Sequence, residues 1–360
     1  MGKIAIIIPA YEPDERLVSL LKKLDSRGMG PVILVNDGSV GNNYDAIFER
    51  AKELIEKRGG RLLAHDVNRG KGRALKTAFS YILDNYNDVM AVVTADSDGQ
   101  HSCECIQKVI DEVINNKESI ILGVRKFNMD GIPWKSRFGN TLTEKIFKYV
   151  TGKHISDTQT GLRGIPCEYM KELLKLKGER FEFEMRMLVD VVGKREIVEV
   201  PIETIYDSGE NHQTHFDPFK DSIRIYKILV EKIMKFILSS LSSSIIDIVL
   251  FGIFCLFLKT SMPAMYVTVS TVIARIISAT YNYFINYIVV FKSKENVGTS
   301  AIKYIILAMG QMVCSALLVT ILVYVFPVGL EILFKVIVDT ILFFVSYKIQ
   351  QKFVFEKIKK

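Results

Sequence analysis

Val89-Met90-Ala91-Val92-Val93-Thr94-Ala95-Asp96-Ser97-Asp98-Gly99-Gln100-His101 decides how the first half of this chain folds. Residues 89–93 are an unbroken apolar run, the pattern of a fully buried strand. The run ends in two carboxylates, a glycine turn and an amide, so hard oxygen ligands stand at the carboxyl end of a strand. Open α/β sheets bind their ligands at that edge. Asp96, Asp98 and Gln100 suit Mg2+ or Mn2+, ions that commonly arrive bound to substrate phosphates. The stretch predicts an enzyme that handles a nucleotide diphosphate through a metal.

Outward from it, β-branched runs alternate with amphipathic stretches. Strands are expected over residues 4–8, 32–35, 61–64, 89–94 and 120–122, and helices over 14–24, 44–57, 71–83 and 104–113. That alternation predicts a mostly parallel sheet with helices on both faces. Right-handed crossovers then gather the loops that follow the strands on one edge. Those loops carry Pro9-Ala10-Tyr11, Asn36-Asp37-Gly38-Ser39, Asn68-Arg69-Gly70-Lys71-Gly72, the acidic turn and Gly123-Val124-Arg125. Singly, each is ordinary loop chemistry; five on one edge make a site. An anion near Gly70-Lys71-Gly72 would meet a helix N-terminus and a lysine.

Composition bounds the rest. A length of 360 residues allows two domains, and charged side chains concentrate before residue 236, apolar runs after it. The net charge of +7 does not imply nucleic acid, because the soluble half lacks basic clusters interleaved with aromatics. A membrane surface is the better partner for that charge. The five cysteines form no pair of Cys-x-x-Cys motifs, which disfavours structural zinc and leaves free thiols. Lys3-Ile4-Ala5-Ile6-Ile7-Ile8-Pro9 is too short for a secretory signal and reads as a first strand, so the soluble half is expected in the cytoplasm.

Taken in order, these motifs resemble the family 2 glycosyltransferases of the GT-A fold, in the branch that makes dolichol- or polyprenyl-phosphate sugars. The likeness continues through Arg137-Phe138-Gly139-Asn140 and Asp157-Thr158-Gln159-Thr160-Gly161-Leu162-Arg163 and spans about residues 3–225. It implies a GT-A catalytic domain, with a Rossmann-like, mostly parallel sheet, over residues 1–217. By resemblance, Pro9, Tyr11, Val35 and Asp37 line the base and ribose pocket, and Lys71, Asp96 and Ser97 lie by the nucleotide. Asp98 and Gln100, with Asp96, would hold Mg2+ or Mn2+ on the diphosphate. Arg125 and Arg137, with Arg163, would hold the acceptor phosphate, and Asp157 would orient the sugar or an arginine. Asp98, Arg125, Arg137 and Asp157 are therefore the expected catalytic set, with Glu182 of Phe181-Glu182-Phe183-Glu184 reaching sugar hydroxyls. Two departures stand out. Glu12-Pro13 replaces a frequent Asn-Glu, and His215 stands where a late-loop lysine often meets phosphate.

The implied reaction moves one sugar from a UDP- or GDP-linked donor to an undecaprenyl-type phosphate, with inversion. A phosphate monoester has its second pKa near ~6 and is mostly dianionic at neutral pH, so it needs no side chain to deprotonate it. The protein must instead hold two anions together and stabilise the departing diphosphate, and guanidinium groups match phosphate geometry.

Residues 218–237 read as an interfacial amphipathic connector, with Ile223, Tyr226, Val230, Ile233 and Ile237 on one face and Lys220, Arg224, Lys227, Lys232 and Lys235 as its basic complement. Four apolar runs follow within residues 238–360, at about 238–258, 265–290, 304–326 and 328–347. Each can cross roughly 30 Å of hydrocarbon. Lysines in the 292–303 loop and in the tail place both, with the catalytic half, on the cytoplasmic side of a cell membrane. Asp247, Arg275, Lys335 and Asp339 lie in or near the spans, where charges usually pair; Asp247–Arg275 or Arg275–Asp339 is expected. Through residues 274–291 the apolar half, over about 238–355 of a domain at 238–360, resembles the GtrA-like membrane domain, a family associated with lipid-linked sugar export. Two alternatives stay open. A processive polysaccharide synthase would carry Gln-x-x-Arg-Trp, but the sole tryptophan, Trp134, lies in Ile132-Pro133-Trp134-Lys135. A lipid-sugar transporter or scaffold would carry an inactive transferase half. The oligomeric state, a homo-oligomer included, stays open as well.

Overall fold

The structure is a computed structural model and describes residues 2–125, 134–203, 220–326 and 330–355, with the backbone alone over 134–138. The chain divides into two units, Met1–Leu229 and Val230–Lys360.

The first unit is built on a seven-stranded sheet: β1 (Lys3–Ala10), β2 (Val32–Asn36), β3 (Arg61–Ala64), β4 (Val89–Thr94), β5 (Ile120–Arg125), β6 (Arg163–Pro166) and β7 (Ile197–Ile202). Helices α1 (Glu15–Ser26), α2 (Asn42–Glu56), α3 (Lys71–Asn85), α4 (Cys103–Asn115), α5 (Trp134–Thr151), α6 (Cys167–Leu173) and α7 (Glu182–Val191) separate the strands. Ile6, Ile7 and Ile8 of β1 are all buried, as a strand covered on both faces requires. Local chemistry starts the helices. Asp14 caps α1 by accepting the Arg16 N–H, and Ser102 caps α4 by accepting the Cys105 N–H.

The strand order is β3-β2-β1-β4-β6-β5-β7. β1 pairs in parallel with β2 and β4, so the ends of these three strands stand side by side. β6 and β7 add to the five strands expected from the sequence. β6 is antiparallel to both β4 and β5, with Arg163 opposite Thr94 and Leu122. Because β6 runs backwards, the loop before it, residues 157–162, joins the edge where β4 and β5 end. Gly164 permits this insertion: a Cβ there would lie 2.2 Å from a Val113 methyl.

The second unit is helical: the later part of α8 (Lys220–Ser261), then α9 (Tyr266–Ile285), α10 (Val297–Val325) and α11 (Glu331–Ile349), with π turns at Asn286–Val290 and Gln350–Val354. No break separates the expected connector from the expected first span, because α8 is one helix of 42 residues. Its early part buries Ile225, Ile228 and Leu229, whereas Ile223 and Val230 of the expected apolar face are exposed. Side-chain spacing gave the helix but not which of two neighbouring stripes is covered. α8 and α10 are long and apolar enough to cross a membrane, each with a mean hydropathy of 2.3 over its most apolar window. Asp247 pairs with Arg275 at 3.2 Å, the first of the two expected pairings; Asp339 pairs with Lys335 at 2.8 Å.

Candidate active site

Three loops meet above β1, β2 and β4. Asp37, at the end of β2, is buried, and its carboxylate accepts the backbone N–H groups of Arg69 (2.9 Å) and Gly70 (2.7 Å). His65 contacts the same carboxylate at 2.7 Å and Thr77 at 2.9 Å on its other ring nitrogen. The anion expected at the start of α3 is thus supplied in part by the chain itself, since Asp37 fills the hydrogen bonds there. Gly38 makes the approach feasible. Its φ is +78°, and a Cβ would fall 2.2 Å from the Val67 carbonyl carbon. Pro9 and Val35 are buried beside this loop, and Tyr11 is half-buried at the end of β1. Glu12 follows with φ +48°, its N–H bonded to Ser39 at 2.8 Å.

The acidic turn lies one strand over. Asp96 packs against Gly161, where a Cβ would stand 2.3 Å from its carboxylate. Lys71, the first residue of α3, bridges Asp96 (2.7 Å) and Glu184 of α7 (3.0 Å). Burial alone would push the Lys71 ammonium down, but the two carboxylates hold its pKa well above the ordinary lysine value. Burial would likewise raise Asp96, yet Lys71, and then His101 at 3.4 Å, hold it well below the usual carboxylate range. Asp98 behaves oppositely. Burial, with the charge on Asp96 next, pushes its pKa up, while its Oδ1 accepts the Gln100 N–H at 3.0 Å. Ser97 and Gln100 are half-buried in the same turn.

Whether this turn fits a divalent cation can be asked of its donors. Among the described residues no three His, Cys, Asp or Glu side chains converge as a metal cluster. A magnesium-type ion does not need one, because it takes one or two carboxylates, keeps water and completes its shell on phosphate. Asp96 is already engaged by Lys71 and His101. Asp98 stands beside Gln100 in the same turn, where the neighbouring Asp96 charge adds negative potential. The donor set fits with Asp98 first, Gln100 beside it and Asp96 behind.

On the far side of β4 the chain prepares a guanidinium. Arg125, the last residue of β5, grips Asp157 with two bonds, Nε to Oδ2 at 2.7 Å and Nη2 to Oδ1 at 3.0 Å. Asp157 is fully buried and also accepts the Gln159 N–H at 3.1 Å. Asp157 thus holds an arginine and also caps its own turn. Thr94 and Thr160 tie the loop to the sheet through the Gly161 and Gly123 carbonyls, at 2.7 and 2.5 Å.

Arg163 is not presented to a phosphate in this structure. It is 1 % exposed and donates to the Thr160 and Glu184 carbonyls, each at 2.8 Å, because its place on β6 turns it into the core. Glu182 caps its own turn, accepting from the Glu179 and Arg180 N–H groups. Glu184, two residues on, is the acid that reaches Lys71. The sequence placed both on one helix start but gave no signal for which faced the site. His101, quoted in the acidic motif without a role, turns out to back Asp96. The Arg137 side chain and His215 lie outside the described residues.

Comparison with known proteins bears on this edge directly. Residues 5–174 match the model of glycosyl transferase family 2, and residues 235–355 match the GtrA/DPMS transmembrane domain. The chain is a family 2 glycosyltransferase joined to a GtrA/DPMS transmembrane domain. Among its relatives is the dolichol-phosphate mannosyltransferase of Pyrococcus furiosus, 25 % identical over 359 residues, 95 % of this chain and 96 % of the relative. The UDP-N-acetylglucosamine--dolichyl-phosphate N-acetylglucosaminyltransferase of Methanococcus voltae is 29 % identical over 217 residues, 56 % of this chain and 86 % of the relative. The undecaprenyl-phosphate 4-deoxy-4-formamido-L-arabinose transferase of Klebsiella pneumoniae is 25 % identical over 207 residues, 56 % of this chain and 59 % of the relative. In this glycosyltransferase the expected mostly parallel sheet holds, and Asp37, Lys71, Asp96, Asp98, Arg125 and Asp157 all fall within the matched residues 5–174.

Proposed function

We propose that this glycosyltransferase moves a single sugar from a nucleoside diphosphate to a polyprenyl phosphate at the cytoplasmic face of a membrane, with inversion and with help from a divalent cation. One observation carries the reading. A single sheet edge carries Asp98, beside an Asp96 paired with Lys71, and, past β6, an Arg125 held by Asp157. That is one seat for a departing diphosphate and one for an incoming phosphate. Relatives that act on dolichyl or undecaprenyl phosphate support the lipid acceptor.

Each part follows from charge. Pro9, Tyr11 and Val35 shape the base and ribose pocket, and Asp37 fixes the loop around it. Bound at Asp98 with Gln100, Mg2+ or Mn2+ would supply positive charge to the leaving diphosphate. Lys71 offsets part of the Asp96 charge there. Arg125, with Arg137 and the late-loop His215, would hold the acceptor phosphate in line with the anomeric carbon. That phosphate is already dianionic near neutral pH, so its oxygen attacks without a general base, and in-line attack inverts the carbon. Four crossings, α8 to α11, would keep the catalytic unit on the lysine-rich side.

The test supplies the purified chain with UDP- and GDP-sugars, Mg2+ or Mn2+, and undecaprenyl or dolichyl phosphate. A lipid carrying one sugar is expected from the wild type and none from Asp98→Asn, with unchanged thermal unfolding. A polymer, no product from any donor, or full activity of Asp98→Asn would overturn the reading.

A further inference from the structure

The second unit contains a symmetry that its sequence barely shows. A shift of 64 residues, the separation of Asn286 from Gln350, lays the end of α9 on the end of α11. Ala274 then falls on Val338, Asn282 on Ser346, Tyr283 on Tyr347, Asn286 on Gln350, Val290 on Val354 and Phe291 on Phe355. Both helices finish in a π turn of five residues, closed by the Phe291 N–H on the Asn286 carbonyl and the Phe355 N–H on the Gln350 carbonyl, each 2.9 Å. Both brace the turn from one helical turn back: Asn286 donates to Asn282 (2.8 Å) and Gln350 to Ser346 (3.1 Å).

The contacts between the halves are reciprocal. Asn286 donates to its own counterpart Gln350 at 3.1 Å, and Phe291 stacks on its counterpart Phe355 at 5.0 Å. Tyr283 meets Phe355 at 5.9 Å and 36°, and the mirror pair, Tyr347 and Phe291, meets at 5.6 Å and 36°. The first helices obey the same exchange. Phe236 of α8 touches Phe291 (6.0 Å) and Tyr347 (5.1 Å), while Tyr304 of α10 touches Phe355 (6.5 Å) and Tyr283 (5.5 Å). With Phe236 on Tyr304, Asp247 falls on Ser315. These two contact Arg275 (3.2 Å) and Asp339 (2.5 Å), which are again counterparts under the shift of 64.

A surface on which residue i meets j while j's counterpart meets i's counterpart is the mark of a two-fold axis. We infer that the membrane unit is two copies of one module, residues 230–291 and 298–355, paired face to face about an internal two-fold axis passing between Asn286 and Gln350. The interaction surface is the second helix of each copy with its π turn, and the partner it fits is the other copy. The polar side chains of α9 and α11 then have a purpose. In an apolar unit, an amide pair that bonds across the axis while each member is braced from its own helix fixes one register, as a single buried asparagine does in a helix pair. Two copies in the same sense send the chain out and back twice, with both π turns at one face. That last consequence rests on the membrane reading above; the symmetry itself does not.

Two experiments on the full-length chain decide it. Asn286→Gln and Gln350→Asn each put two amides of equal length on the axis, too long or too short, and each lowers the melting temperature in detergent. The double exchange restores most of the loss, because a two-fold axis does not distinguish its sides. Single variants without effect, or an exchange as damaging as both singles together, would overturn the inference. In a chain whose five cysteines are replaced by serine, single cysteines are placed by Met262→Cys, Leu330→Cys, Lys294→Cys and Lys352→Cys. An impermeant maleimide should reach the first two from one side of the membrane and the last two from the other. A split within either pair defeats the symmetry even if the exchange variants fail to fold. Labelling of all four from the same side sinks the membrane reading and leaves the exchange result to stand by itself.

Discussion

At the scale of the residue, the site is a set of charges each held by a neighbour. Asp157 has no exposure, and its carboxylate fixes Arg125 with two parallel bonds. Asp157→Asn keeps one acceptor and loses the charge. We expect a cost of about 1.5–3 kcal/mol in unfolding, the usual worth of a hydrogen bond to a charged group. Transfer should fall further than this, with the KM for the lipid phosphate rising more than that for the nucleotide-sugar. A variant with normal stability and an unchanged acceptor KM would show that Arg125 needs no such support. The carboxylates of the acidic motif were legible in the sequence as residue types. Their division of labour was not, because it depends on Lys71 arriving from α3 and Glu184 from α7.

At the scale of the element, α3 joins the site to the sheet. Lys71 leads it. One turn further on, Lys76 is buried, donates to the Gly178 carbonyl at 2.8 Å and lies over the Phe183 ring at 4.9 Å. This ties α3 to the turn that precedes α7, and so sets where Glu184 stands. Lys76→Met keeps the apolar stem and removes the donor, leaving the half-buried Gly178 carbonyl and the Glu179 carboxylate without it. Loss of about 1–3 kcal/mol is expected, read by denaturant unfolding, with donor binding weakened because Glu184 shifts against Lys71. Unaltered stability would mean that the turn is positioned without Lys76. β6, like β7, is a strand that periodicity missed. Four residues containing a glycine and a proline carry no alternating pattern, and only pairing with β4 and β5 makes them a strand.

At the scale of the whole molecule, composition changes at one place and so does the structure, from a sheet-based unit to a helical one. Exposed apolar side chains such as Ile248, Leu256, Ile306, Met312 and Ile332 cover the helices of the second unit, far more than a water-facing surface carries. An alkaline carbonate wash of membranes from expressing cells should therefore leave the chain in the pellet, as should high salt. Release into the supernatant would mean attachment by charge alone.

The sequence alone determined the alternation of strands and helices, the edge on which the loops gather, the acidic turn and the apolar half, because these follow from side-chain period and from the handedness of crossovers. Tertiary structure decided what depends on partners distant in sequence. It turned Arg163 of β6 into the core and Asp37 onto the start of α3. It also paired Asn286 with Gln350 across an axis. A side chain's neighbours along the chain fix its conformation; whether its charge is spent inside the protein or left for a ligand is settled only when the far segments pack.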